Sequence, residues 1–130
     1  MSISDAVEDE KGNLYFSLVN YNKVADDDDK EGLAILKPGG KWLHYNDKNS
    51  GMPSNRVNNI LYDKFEHVLW LGTDQSGIVR FNLKDGWENY NNVNSPAPGH
   101  TIYQLVQNSK GDIYVTTANG LLRLRKKATP

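Results

Sequence analysis

Cysteine is absent from the 130 residues, which excludes disulfides, thiol catalysis and cysteine-ligated zinc or iron–sulfur sites. An excess of charge of either sign is also missing. The 15 Lys and Arg nearly cancel the 16 Asp and Glu. No broad basic field therefore draws the chain to nucleic acid, and no polybasic stretch draws it to a membrane surface. The single basic cluster, Arg123, Arg125, Lys126 and Lys127, reads as a solvated chain end. No apolar run approaches the ~20 residues of a membrane helix. The first residues lack the basic, apolar and cleavable pattern of a secretory leader, so the expectation is a cytosolic chain or a mature or excised piece. Helical periodicity is missing too: no segment keeps apolar residues at i, i+3, i+4 and i+7 over three turns, because Gly or Pro interrupts them.

What is present is a repeat. An apolar strand closed by Asp or Asn occurs three times: Ile3 to Asp9, Val57 to Asp63 and Ile102 to Asn108. A short strand with a central aromatic residue follows each one, at Leu14-Tyr15-Phe16, Leu69-Trp70-Leu71 and Ile113-Tyr114-Val115. Gly12-Asn13 and Gly111-Asp112 mark the intervening hairpin turns in the first and third copies. Glycine-led strands come next, Gly32 to Leu36, Gly77 to Phe81 and Gly120 to Leu124. A fourth strand occurs in two copies, Trp42 to Tyr45 and Trp87 to Tyr90. Trp42 to Trp87, Tyr45 to Tyr90 and Gly32 to Gly77 are each 45 positions apart, and Gly77 to Gly120 is 43. Four short strands at a period of ~40–50 residues are the signature of β-propeller blades. The predicted fold is therefore all-β: three four-stranded antiparallel repeats, the third incomplete, with blades at about 1–47, 48–92 and 93–130 of a single propeller segment. The strands read as nearly continuous apolar runs, as sheets covered on both faces require. The recurring tryptophans and tyrosines read as packing between blades.

The copies differ in their loops. Three residues, Asp74 to Ser76, join the second and third strands of copy two, and two residues, Ala118 and Asn119, do so in copy three. Copy one carries thirteen, Val19 to Glu31, including Asp26 to Asp29. Four adjacent aspartates lack the alternating ligands and the turn of a calcium loop, so the run reads as a solvated charged loop and no metal site is expected. The crossings between copies, Asp47 to Arg56 and Asn92 to His100, are rich in Asn, Ser, Pro and Gly. In a propeller these crossings and the loops between second and third strands emerge on one face, and such loops carry specificity. The candidate ligand-binding residues are Tyr21, Asn22, Asn55, Arg56, Asp74, Gln75 and His100. His44, His67 and His100 fall in a strand, a turn and a crossing, with no spacing for a metal or a catalytic triad. No catalytic residue and no cofactor are expected.

The stretch from Tyr45 to Asp63, running into Leu69-Trp70-Leu71-Gly72-Thr73 and Gly77 to Phe81, resembles the two-component regulator propeller repeat. Copies one and three match more loosely, with Tyr15 and Tyr114 in place of the tryptophan and Ser17 and Thr116 in place of the glycine. The resemblance implies a periplasmic sensor segment of a hybrid histidine kinase that detects oligosaccharides, with any kinase activity outside this chain. It transfers no binding residue to a numbered position. A looser similarity to streptogramin lyases, through the Gly-Asn-Leu-Tyr and Gly-Asp-Ile-Tyr turns, keeps a propeller enzyme as an alternative beside a non-catalytic protein-interaction scaffold. Three blades fall short of the roughly four to eight at which propellers close. The expected partners, besides an oligosaccharide or other small ligand, are further blades of the same parent chain or another copy of this chain. Neither nucleic acid nor a membrane is an expected contact.

Overall fold

The Asp or Asn that closes each first strand builds the turn that follows it. In the computed structural model, which describes residues 2–19, 31–90, 101–118 and 120–124, Asp9 Oδ1 accepts the backbone N–H groups of Lys11 and Asn13, both at 2.9 Å. Asp63 Oδ1 accepts those of Phe65 and Glu66 at 2.9 and 3.1 Å. Asn108 Oδ1 accepts those of Lys110 and Asp112 at 3.0 Å. Short polar side chains satisfy turn amides in this way, which is why these residue types end the strands. The second carboxylate oxygen does something an Asn cannot: it receives the aromatic residue of the next strand. Tyr15 O–H donates to Asp9 Oδ2 at 2.7 Å, and Trp70 Nε1 donates to Asp63 Oδ2 at 3.1 Å.

Three antiparallel sheets result, with strand orders β1-β2-β3-β4, β5-β6-β7-β8 and β9-β10-β11. The first holds β1 (Ser2–Glu8), β2 (Leu14–Val19), β3 (Gly32–Leu36) and β4 (Trp42–Tyr45). The second holds β5 (Val57–Asp63), β6 (Val68–Thr73), β7 (Ile78–Phe81) and β8 (Trp87–Tyr90). The third holds β9 (Ile102–Gln107), β10 (Ile113–Thr117) and β11 (Gly120–Leu124). Every described strand falls where the repeat places one. Val19, expected in the loop, is the last residue of β2 and is buried.

Two glycines are required by close approach. A Cβ on Gly32, whose φ is +124°, would stand 2.2 Å from the Tyr45 carbonyl oxygen, and one on Gly72 would stand 2.2 Å from Asn59 Oδ1.

Two cores form between the sheets. Tyr15, Leu33 and Ile35 of the first sheet pack on Val57, Ile60, Leu71, Val79 and Phe81 of the second. Val68, Trp70 and Ile78 on the other side of the second sheet pack on Ile102, Leu105, Ile113 and Val115 of the third. Each fully buried aliphatic side chain contributes roughly 1.5–3 kcal/mol of transfer free energy. Tyr45 packs edge-on against Phe81 and Trp87, which stack on each other with ring centroids 3.8 Å apart. Tyr15, Tyr45 and Trp87 thus pack between sheets as expected, whereas Trp42, at the position equivalent to Trp87, is 58% exposed and touches only Phe16 of its own sheet among the described aromatic rings. The continuous burial expected for all strands holds in β6 of the middle sheet, where every residue is buried, and gives way to partial or full exposure on β8, β1 and β11.

Each first strand also carries a bulge at the same place, between Ile3 and Asp5, between Val57 and Asn59, and in β9 opposite Thr116 and Thr117. An extra residue there re-aims its neighbours, and they reach the next sheet. Ser4 Oγ donates to the Val57 carbonyl at 2.9 Å, and Asp5 Oδ2 accepts the Ile60 N–H at 2.8 Å. One sheet further on, Asn59 Nδ2 donates to the Ile102 carbonyl at 3.1 Å.

Candidate functional site

The turn between β6 and β7 is fixed by Thr73, whose hydroxyl donates to the Gly77 carbonyl at 2.7 Å and accepts the Ser76 N–H at 2.9 Å. This holds Asp74 and Gln75 outward at the rim. Asp74 then fastens the first crossing and the residue before β9: its N–H donates to the Arg56 carbonyl at 3.0 Å, and its own carbonyl accepts the Thr101 hydroxyl. The first crossing and the turn therefore share one face, with Thr101 beside them, and the second crossing, Asn92 to His100, lies outside the described residues. Arg56 is half-buried, with Nε 3.9 Å from Oε1 of the fully buried Glu31. His44 Nε2 contacts the Glu31 carbonyl oxygen at 2.9 Å. Asn55 Oδ1 accepts the Asp47 N–H at 2.6 Å, closing the crossing that Asn46 opens through its bonds to the Lys48 and Asn49 amides.

Of the seven candidate residues, Asn55, Arg56, Asp74 and Gln75 are brought together on this rim, with Gln75 exposed. Tyr21, Asn22, His100 and the acidic run Asp26 to Asp29 lie outside the described residues. Glu31, His44 and Thr101 join the site without having been singled out. The one sequence signal for Glu31 was its place directly before the glycine that opens β3. Its burial beside Arg56 depends on how the sheets stack.

A second polar cluster occupies the opposite face, at the turns after β1 and β5. Glu10 Oε1 accepts the Tyr62 hydroxyl at 2.9 Å and lies 2.9 Å from His67 Nδ1. Tyr62 stacks on Tyr15 at 6.4 Å between centroids. Burial, followed by the adjacent carboxylates, pushes both phenols well above their usual range. Burial also pushes the Asp9 carboxyl up. Its bonds from Asn13, Tyr15 and the Lys11 amide outweigh that effect and hold it below its ordinary value.

No family model and no curated protein matches the chain. Solved structures do. One, described as the extracellular domain of a hybrid two-component system from B. thetaiotaomicron, superposes with a TM-score of 0.70 over 92% of this chain at 18% identity. These are β-propeller blades. PorZ, an essential bacterial surface component of the type-IX secretion system of Porphyromonas gingivalis, superposes at a TM-score of 0.68 and 16% identity over 95% of the chain. The virginiamycin B lyase of Staphylococcus aureus does so at 0.64 and 16% over 93%. The chain spans 15% of the first of these proteins, 17% of the second and 40% of the third. At these identities the blades share a fold. The two-component extracellular domains among the neighbours agree with the repeat resemblance carried by about residues 45–91.

Proposed function

We propose that the chain is a ligand-sensing propeller segment of a two-component signalling receptor, held outside the cytoplasm, and that its ligand is an oligosaccharide. The observation that carries this reading is the convergence of the first crossing, the β6–β7 turn and Thr101 on one rim. There Asn55, Arg56, Asp74 and Gln75 present hydrogen-bonding groups from a rigid frame fastened through Asp74. Polar loop residues on a fixed scaffold suit a ligand made of hydroxyl groups. The structural likeness to two-component extracellular domains supports the sensing role, as does the repeat motif. Tyr21, Asn22 and His100, outside the described residues, are further ligand-binding residues in this reading. Chemistry on the ligand is not part of the role.

Isothermal titration calorimetry with a panel of neutral and acidic oligosaccharides tests the proposal. The expected result is saturable binding of at least one member, weakened about tenfold or more by Gln75→Ala and by Arg56→Gln. Absence of saturable heat from a cooperatively folded sample rules the reading out, and so does binding indifferent to both substitutions. Turnover of a lactone that is lost on His100→Ala would favour the lyase alternative instead.

A further inference from the structure

On the face opposite the rim, the turns after β1, β3, β5 and β7 surround a hollow of about 440 Å³ in the seam between blades one and two. Both of its walls are complete four-stranded sheets. Ile35, Leu43, Tyr45 and Leu83 supply its apolar lining. Three exposed lysines line it as well, each from a different turn: Lys11 after β1, Lys37 after β3 and Lys84 after β7.

The carboxylates of this hollow are occupied and its ammonium groups are not. Asp9 accepts the Lys11 and Asn13 amides, the Asn13 side chain and the Tyr15 hydroxyl. Glu10 holds Tyr62 and His67. The three lysines pair with no carboxylate among the described residues. The seam between blades two and three serves as an internal control. Its hollow of about 330 Å³ has Trp70, Arg80 and Tyr90 where the first has Tyr15, Ile35 and Tyr45. There the cations are taken up within the fold: Arg80 lies 3.6 Å from Glu66 and 3.5 Å from Glu88, and Arg123 lies 3.1 Å from Asp112. Unpaired cations are therefore a property of the first seam and not of seams in general.

Backbone strain gathers in the same hollow. Among the described residues, His67 at φ +57° and Leu83 at +69° are the two non-glycines in the left-handed region, and both line it. The turns after β1 and β9 use Gly12 at +86° and Gly111 at +93° instead. Glycine takes such angles at little steric cost, so the side chain kept at His67 is paid for in strain. Strained residues of this kind cluster at ligand sites.

We infer that this hollow binds a small organic phosphate. The three lysines hold the dianion, and Ile35, Leu43 and Leu83 receive the apolar body. An ammonium is a compact point charge, and three of them suit a phosphate dianion better than a single carboxylate. His67 has its Nδ1 2.9 Å from Glu10, which leaves Nε2 for the ligand. The volume falls in the range of about 300–1,000 Å³ usual for small-molecule sites. The site is separate from the oligosaccharide rim and does not rest on that reading.

Titration of the isotope-labelled chain with phenyl phosphate, followed by amide NMR shifts, tests it. Inorganic phosphate and phenol probe the charge and the body alone. The expected result is saturable shifts at residues 10–13, 62–67 and 82–86, with phenyl phosphate bound about tenfold or more tightly than either half. Replacing Lys11→Gln, Lys37→Gln and Lys84→Gln together changes only exposed side chains. That variant keeps its thermal melt and loses affinity for phenyl phosphate about tenfold or more. Absence of saturable shifts overturns the inference, and so do shifts confined to the outer faces at Trp42 or Leu121. Phenol bound as tightly as phenyl phosphate, or a triple variant that binds as the parent does, overturns it too.

Discussion

Replacing Asp63 by Asn probes the bond that ties a blade's turn to its central aromatic residue. Asp63 is 2% exposed and accepts hydrogen bonds from the Phe65 and Glu66 amides, from Gln107 Nε2 at 2.8 Å and from Trp70 Nε1. An Asn keeps Oδ1 for the two amides and Gln107, but turns an N–H₂ group toward the indole N–H. Two buried donors then face each other, each costing ~1–3 kcal/mol. The expected loss is about 2–4 kcal/mol, a large fraction of the ~5–15 kcal/mol that a domain possesses, and a melting temperature lower by on the order of 10 °C. Urea unfolding followed by tryptophan fluorescence measures it. Trp70→Phe removes the indole donor. It therefore costs less in the Asp63→Asn background than in the parent, with a coupling of ~1–2 kcal/mol in the double-mutant cycle. An Asp63→Asn loss below ~0.5 kcal/mol, or a coupling of zero, refutes the reasoning.

Gly72→Ala sets a methyl group 2.2 Å from Asn59 Oδ1 and 2.6 Å from Ile102 Cγ2, at the contact between blades two and three. A loss of ~1–3 kcal/mol is expected in a thermal melt. Asp9 is held below its ordinary value of 3.8, so its ionised form stabilises the fold above about pH 4, and that contribution disappears as the pH falls through the lower folded value. Urea midpoints for the parent and Asp9→Asn therefore converge on acidification, and parallel curves would contradict this. Replacing residues 20–30 by a short turn, with buried Val19 and Glu31 kept, is expected to change oligosaccharide binding and leave the melt intact. A lost cooperative transition would instead make that segment part of the frame.

The architecture was legible because propeller blades are written in short-range signals. Asp63 and Asn108 announce turns by their own chemistry, Gly32 and Gly77 open strands where a positive φ is needed, and Trp42 and Trp87 mark one position 45 residues apart. Burial was harder to read from the sequence. The apolar runs of β2 and β11 resemble that of β6, yet only β6 has a neighbour on both sides. That difference depends on how many blades stand beside each one. The candidate site was legible where loop position alone defines it, as for Asp74 and Gln75. Glu31 and Thr101 were not, because they join through contacts between residues 25 or more positions apart, Glu31 to Arg56 and Thr101 to Asp74. Such pairings depend on blade stacking and leave no periodic trace.

The measurement that bears most directly on the central claim is hydrogen–deuterium exchange with and without the oligosaccharide that binds most tightly in calorimetry. A sensing rim predicts new protection at residues 53–56 and 73–76, with the turns after β1 and β5 on the opposite face unchanged. Protection at those opposite turns, or none at the rim under saturating ligand, would contradict it.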